Sequence, residues 1–452
     1  RWTRNTHGCE SHIVPRLQYS RMLVYSLVMI PLIPKIKVFG AGESPILLDD
    51  FVLLMCVCLG LAALVLRAAV VGRISFPVNP VVVAFSIFLL YKITFFFILA
   101  FFLPWINSLQ LARGIVFGEG ILVVTKTSFI FAAFLVVLVV LRGYDDARNA
   151  LQAMILCIVL VVAVGLAQFA ILDHTVLTST FRNVYALGIK IPGRWMFDDP
   201  WFGHAAVGHE HFGAFMIISF ALFSGMLLCG YPSTPRRRFA LIVLWGLCIF
   251  SLVFSSSRGA WIGWCCSLGA LGLWQMSRGK LLQACLYGVV AVLALAVADQ
   301  IWNLQLEVYI TKRVEGLVAA FSGEIKDVSA IKRIELFGKL WGRFIERPLI
   351  GWGAGSAGRI AEGQHIRELV EGGIVGWGLF VGMLTICGWQ ARKRYKASDD
   401  PLVRGSNVGL ISAIVGLLGQ SAFTELFILT KVGVPFWVLV AILQRLDREA
   451  AG

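Results

Sequence analysis

Residues 81–103 read VVVAFSIFLLYKITFFFILAFFL. One charge, Lys92, interrupts an otherwise apolar run. A helix needs about 20 such residues to cross the hydrocarbon core of a bilayer, and this run supplies them. Apolar runs of similar length recur along the whole chain of 452 residues, which is 58% hydrophobic, only 15% charged and has a mean hydropathy of +0.81. Soluble domains carry about 25% charged residues. The pattern predicts an all-α polytopic membrane protein with about 12 transmembrane helices, because only helices and closed barrels satisfy their backbone within lipid.

The expected spans are 22–39, 49–66, 81–103, 121–141, 151–172, 212–229, 239–254, 260–276, 281–297, 373–389, 408–423 and 432–443. They divide the chain into spans one to five (1–172), a polar loop (173–210), spans six to nine (211–298), a large and partly helical loop (299–372), and the last three spans with a tail (373–452). The formal net charge is +14, with a pI near 9.5. In a soluble chain that would point to nucleic acid. Here the basic residues gather in short loops, where they set topology and meet anionic headgroups. Arg67, Arg73, Arg142, Arg148, Arg236, Arg237, Arg238, Arg392, Lys393, Arg394, Arg404 and Arg445 all fall on one side. Both termini then lie inside, and both long loops lie outside. Nine of the ten cysteines lie within apolar runs, and no CxxC pair flanks a loop, so neither a disulfide framework nor a zinc site is indicated. The basic N-terminus leads into an apolar run with no small-residue cleavage site, which favours a retained first span. No internal repeat is present, which argues against a transporter built from inverted halves.

Charge also concentrates in 331–376, IKRIELFGKLWGRFIERPLIGWGAGSAGRIAEGQHIRELVEGGIVG. At about 100° per residue, Ile334, Phe337, Leu340, Trp341, Phe344 and Ile345 share one face of a helix. Lys332, Glu335, Lys339, Arg343 and Glu346 share the other. Arg333 breaks the pattern by falling between Leu340 and Phe344. It is either a snorkelling arginine or a guanidinium set to grip an anion such as a phosphate. Arg258, in SSSRG, is a second anion-binding candidate at a span end, with three serines beside it. The turn 351–358, GWGAGSAG, has the composition of a phosphate-cradling loop, although glycine serves tight packing equally well. In GHAAVGHEHFG, His204, His209, Glu210 and His211 stand together, and an anchoring role outweighs a metal site. Arg182, Lys190 and Arg194 add positive charge to that loop. Lys92, at mid-span, needs a buried partner, since an unpaired lysine there costs about 2.5–3.5 kcal/mol. Glu119, Glu425 and Asp299 stand at span ends.

Three motifs carry a family resemblance: Arg333 followed by P-L-I-G-W-G-A-G from Pro348, then L-V-E-G-G-I-V-G from Leu369; SSSRGAW from Ser255; and G-H-E-H-F from Gly208. Together they resemble the O-antigen ligase/polymerase superfamily of bacterial envelopes, from about Arg182 to the C-terminus. The resemblance implies a metal-independent glycosyltransferase of the cytoplasmic (inner) membrane that needs no cofactor. It would transfer glycan from an undecaprenyl-diphosphate-linked donor to an acceptor hydroxyl at the periplasmic face. Arg258 and Arg333 would bind the diphosphate, with Arg194 and His209 nearby. Where ligases place a histidine, this chain has Glu362, with His365 one helical turn on, and either could act as general base. Glu371 reads as structural, pairing within its helix. The E-G-Q-H form is more similar to polymerase and exopolysaccharide members than to ligases. The implied partners are the lipid-linked glycan, an acceptor glycan or lipid A-core, the bilayer and a flippase or chain-length regulator. A ligase is the close alternative, and a flippase of lipid-linked glycan is the alternative of another class.

Overall fold

The computed structural model describes residues 14–33, 37–39, 46–71, 79–102, 113–171, 208–255, 257–276, 328–358 and 363–446. These fold into helices α1 (Val14–Val28), α2 (Leu48–Val71), α3 (Pro80–Phe102), α4 (Arg113–Val140), α5 (Tyr144–Ile171), α6 (Gly208–Leu228), α7 (Pro235–Phe254), α8 (Arg258–Met276), α9 (Val328–Glu346), α10 (Gln364–Ala397), α11 (Pro401–Gln420) and α12 (Thr430–Arg445). By length and composition, six helical segments can cross a membrane: Pro80–Ile98, Glu119–Val140, Tyr144–Ala163, Glu210–Leu228, Gln364–Ala397 and Pro401–Gln420. The described residues are almost wholly helical, and the chain is a multi-pass membrane protein. The expected span 281–297 lies outside the described residues.

One expectation about element ends is corrected. The run 22–39 is not one helix. α1 stops at Val28, a 3-10 turn covers Ile30–Leu32, and strand β1 (Lys37–Phe39) pairs antiparallel with β2 (Ile46–Leu47). Pro31 sits inside that 3-10 turn, where its missing N–H and the clash of its ring with the preceding turn work against a continued α-helix. The charged helix before residue 373 and the span that opens there are two helices, as expected, and α10 kinks between them at Gly373 (φ 63°, ψ −165°). A Cβ there would lie 2.3 Å from the Leu349 carbonyl, so both the backbone angle and the close approach require glycine.

The centre of the bundle is α12 with α6. α12 is buried from Val432 to Leu443, as expected of a helix that is apolar all round. Its Trp437 stacks 4.3 Å from Phe85 of α3 and 5.7 Å from Phe134 of α4. α6 packs on α11 through glycines. A Cβ on Gly225 would come within 2.2 Å of the Gly405 carbonyl oxygen and 2.4 Å of the Gly409 nitrogen. α8 meets α11 in the same way, through Gly263, Gly416 and a Ser267–Ser412 hydroxyl contact of 2.6 Å. Lipid provides no hydrophobic drive between helices, so close backbone approach and buried hydroxyl pairs hold them together.

Contacts define two ends. At one, Arg21 pairs with Asp146 (2.7 Å), Tyr144 donates to Asp400 (2.6 Å), Arg404 donates to Tyr395 (2.8 Å) and Arg445 donates to the Leu138 carbonyl (2.8 Å). α7 opens there with Arg236, Arg237 and Arg238. The opposite end gathers the starts of α6, α8 and α10 around the turn 420–425 that follows α11.

The glycine contact generates a prediction. Gly225→Val should force α6 off α11 and lower thermal stability in detergent by about 1–3 kcal/mol or more. Gly246→Val, where an added Cβ meets nothing within 4 Å, should leave the melting temperature nearly unchanged.

Candidate functional site

Lys92 has its partner, and the partner lies on α10. Its Nζ is 2.8 Å from Glu368 Oε1 and 3.6 Å from Glu371 Oε2, with all three side chains buried. Glu368 and Glu371 are three residues apart, so both carboxyls lie on the helix face that meets α3. Gln364, one turn earlier, donates to Glu368 (2.8 Å). The other oxygen of Glu371, Oε1, accepts from Arg367 Nη1 (3.0 Å) and from the backbone N–H of Gly355 (3.0 Å). Arg367 also donates through Nη2 to the Gly358 carbonyl (2.8 Å) and through Nε to Glu425. Three carboxyls therefore face two cations in one buried network. Burial pushes the Glu425 carboxyl up to about 7, although Arg367 beside it pulls the other way.

The glycine-rich turn is closed around this network. Trp352 N–H donates to the Val370 carbonyl and Gly353 N–H to that of Glu371, both at 2.8 Å. Ser356 N–H and Gly358 N–H bond within the turn. The anion that the turn holds is the chain's own Glu371 carboxylate. Its glycines at 351, 353, 355 and 358 all have positive φ, and Gly351 (φ 70°) also serves close approach, since a Cβ there would lie 2.6 Å from the Glu371 backbone. Tyr91, next to Lys92, caps the same place by donating to the Gly372 carbonyl (2.7 Å). From outside, Arg343 of α9 donates to the Ser356 carbonyl (2.9 Å), and the Arg347 guanidinium stacks 4.0 Å over Trp352.

The turn 420–425 joins the other motifs. Gln420 donates to the Glu210 carbonyl and Thr424 to the Glu210 carboxylate, each at 2.8 Å. A Cβ on Gly259, next to Arg258, would lie 3.3 Å from Phe423 and 3.8 Å from the Thr424 hydroxyl. Gln364 N–H donates to the Ser421 carbonyl (2.8 Å). Motifs more than a hundred residues apart thus meet at one end of the bundle.

The expected site residues are distributed as follows. Arg258 opens α8, His209 lies in the first turn of α6, and Arg333 lies near the start of α9 in register with Leu340 and Phe344; these three are described as backbone positions only. Glu362 and Arg194 lie outside the described residues, as do Arg182, Lys190, His204 and Asp299. The serines beside Arg258 are used locally: Ser255 donates to the Leu252 carbonyl (2.7 Å) and Ser257 Oγ accepts from Ala260 N–H (3.2 Å). His365 is engaged at both nitrogens. Nδ1 accepts from the Trp377 indole (3.1 Å), so the neutral ring carries its proton on Nε2, facing the Leu418 carbonyl (3.0 Å) and the Ser421 hydroxyl (2.9 Å). Held this way, His365 has both ring nitrogens engaged within the protein. It ties α10 to the end of α11. Among the described residues, no group of three or more His, Cys, Asp or Glu side chains is placed to hold a metal.

Glu368 and Arg367 are absent from the expected site, and Glu425 stands in the sequence reading only as a span-end acid. The sequence marks Glu368 and Glu371 as an i, i+3 acid pair entering a span, but no local pattern joins them to Lys92, 276 residues away. No protein-family model matches the chain, and no curated protein is a significant match.

Two predictions follow from the network. Lys92→Met leaves Glu368 and Glu371 under-compensated and should destabilise the protein by about 3–5 kcal/mol, read by thermal unfolding in detergent. Lys92→Met combined with Glu368→Gln should recover much of that loss. For pH, an unfolded glutamate ionises near about 4.3, whereas folded Glu425 holds its proton to about 7. The folded state therefore binds more protons between those values, and stability should fall as pH rises from about 4.3 to about 7, then level off. Glu425→Gln should flatten that slope in a melting series across this range.

Proposed function

We propose that this protein is a bacterial inner-membrane glycosyltransferase that polymerises oligosaccharide repeat units carried on undecaprenyl diphosphate. The observation that carries the reading is convergence. The helix starts bearing Arg258 and His209 and the start of α10, to which the glycine-rich turn is bonded, meet around residues 420–425. Arg258 and Arg333 bind the diphosphate leaving group. As the sugar C–O bond breaks, charge grows on that diphosphate, and fixed guanidinium groups stabilise it without reorganisation. Glu362 takes the proton of the acceptor hydroxyl as general base, and His365 positions the helix that follows it. The buried network keeps the start of α10 rigid against the turn, so the base and the anion-binding groups hold their spacing. The site faces the periplasm and both termini face the cytoplasm, since Arg236–Arg238, Arg404 and Arg445 gather at the opposite end.

A ligase using lipid A-core or protein as acceptor is the alternative with the same chemistry. A second class of reading, a flippase of lipid-linked glycan, draws on the ionic network inside the spans, because intramembrane acid–base clusters often move protons or ions.

Reconstitution with lipid-linked repeat units separates these readings. A polymerase should build long chains on the carrier, and Arg258→Ala or Arg333→Ala should abolish elongation while the protein still inserts. Elongation unchanged in both variants would sink the diphosphate grip. Gene deletion that leaves long carrier-linked chains would favour the ligase, and glycan movement across vesicles without new linkages would favour the flippase.

A further inference from the structure

α9 has three sectors, and only two are accounted for. Leu340 and Phe344 are buried, packing with Ile366 and Val370 of α10 and Ala357 of the glycine-rich turn. Glu335 and Lys339 form an exposed ion pair (2.7 Å) on the far side. Between these sectors runs an apolar stripe at i, i+4 and i+8: Phe337 is 50% exposed, Trp341 42% and Ile345 60%. Phe337 and Trp341 stack on each other, with ring centroids 6.2 Å apart. The stripe continues past the helix end into Leu349 and Ile350, also exposed.

That continuation fixes its height. Ile374 N–H donates to the Pro348 carbonyl (2.8 Å) and Val375 N–H to that of Leu349 (3.2 Å). Ile374 and Val375 are themselves exposed, and they open the apolar helix that follows the Gly373 kink within the candidate membrane span Gln364–Ala397. The stripe on α9 is therefore continuous with the exposed apolar surface of a helix that crosses the bilayer. A water-facing ion pair on one side and a tryptophan in the stripe complete the pattern of a helix lying in the membrane plane at the headgroup boundary.

We infer that α9 is an interfacial helix whose Phe337–Trp341–Ile345 stripe is covered by lipid acyl chains. The occupant is the bilayer, because the stripe runs without a break into a spanning surface and its polar sector faces away. The inference does not depend on which reaction the protein catalyses. It holds the glycine-rich turn, tied to α9 through Arg343 and Trp352, at headgroup level.

The test uses the full chain in phosphatidylethanolamine–phosphatidylglycerol vesicles, with a benzophenone amino acid placed singly at 337, 341, 345 or 339. Irradiation should give adducts one phospholipid heavier at 341 and 345, with yields several-fold above those at 339. Chain-to-chain crosslinks at 341 or 345 would assign the stripe to a second copy, and yields equal to that at 339 would put it in water. Either result overturns the inference. The Trp341→Phe variant keeps the stripe apolar and gives an independent reading. It should lose part of the tryptophan fluorescence that lipids brominated near the headgroup quench in the parent, and an unchanged quenched fraction would contradict lipid contact.

Discussion

The ion pair between Lys92 and Glu368 is the constraint on which the rest of the structure depends. A lone ammonium in the middle of a span is costly to bury, and a lone carboxylate facing it is no cheaper. Once α3 and α10 bring them to 2.8 Å, each becomes tolerable only because the other is there. The pairing then spreads. Glu371 shares the lysine, Arg367 shares Glu371, and the Gly355 N–H and Gly358 carbonyl add a bond to each of those two side chains. A buried polar network that is partly satisfied is worse than an apolar core, so the members stand or fall together. The glycine-rich turn, the start of α10 and the turn after α11 form one polar body because of this.

The apolar helices around it work by a different force. Glycine faces at Gly225, Gly405 and Gly409, and at Gly263 and Gly416, bring α6, α8 and α11 to backbone contact. That contact fixes where each helix begins. Glu210 on α6 and Gly259 on α8 then reach Gln420 and Thr424 with little freedom. Packing by small residues thus sets the separation of the proposed anion-binding positions, and the ionic network sets the orientation of the loop between them.

What could be read in advance divides along the same line. The six segments that can cross a membrane were legible because each is a local run, the kink at Gly373 falls where a span was expected to open, and the run 22–39 failed at the local cue of Pro31. The need of Lys92 for a partner was legible from the cost of burying it. The identity of the partner was not, since Glu368 lies 276 residues away and no periodicity links α3 to α10. The glycine-rich turn shows the same gap from the other side. Its composition fits both a phosphate cradle and close packing, and only the Gly355–Glu371 bond decides between them. His365 was legible as polar at a span start. That both its nitrogens are taken depends on Trp377 and Ser421, one on its own helix and one on another.

The position of α9 bears on the proposed chemistry. A donor carried on a polyprenyl chain presents its diphosphate at the headgroup plane and cannot leave it without exposing the chain to water. An enzyme for that donor does best with its anion-binding groups at the same height, on elements that cannot bob in and out of the interface. α9 meets the demand in two ways. Leu340 and Phe344 fix it to α10 from within, and the aromatic stripe seats it in lipid from without. Position 333 lies in register with Leu340 and Phe344, on the inner face. On the proposed reading, a guanidinium at that position would meet a diphosphate held at the headgroup plane, and a fixed cation there would stabilise the charge that grows on the leaving group.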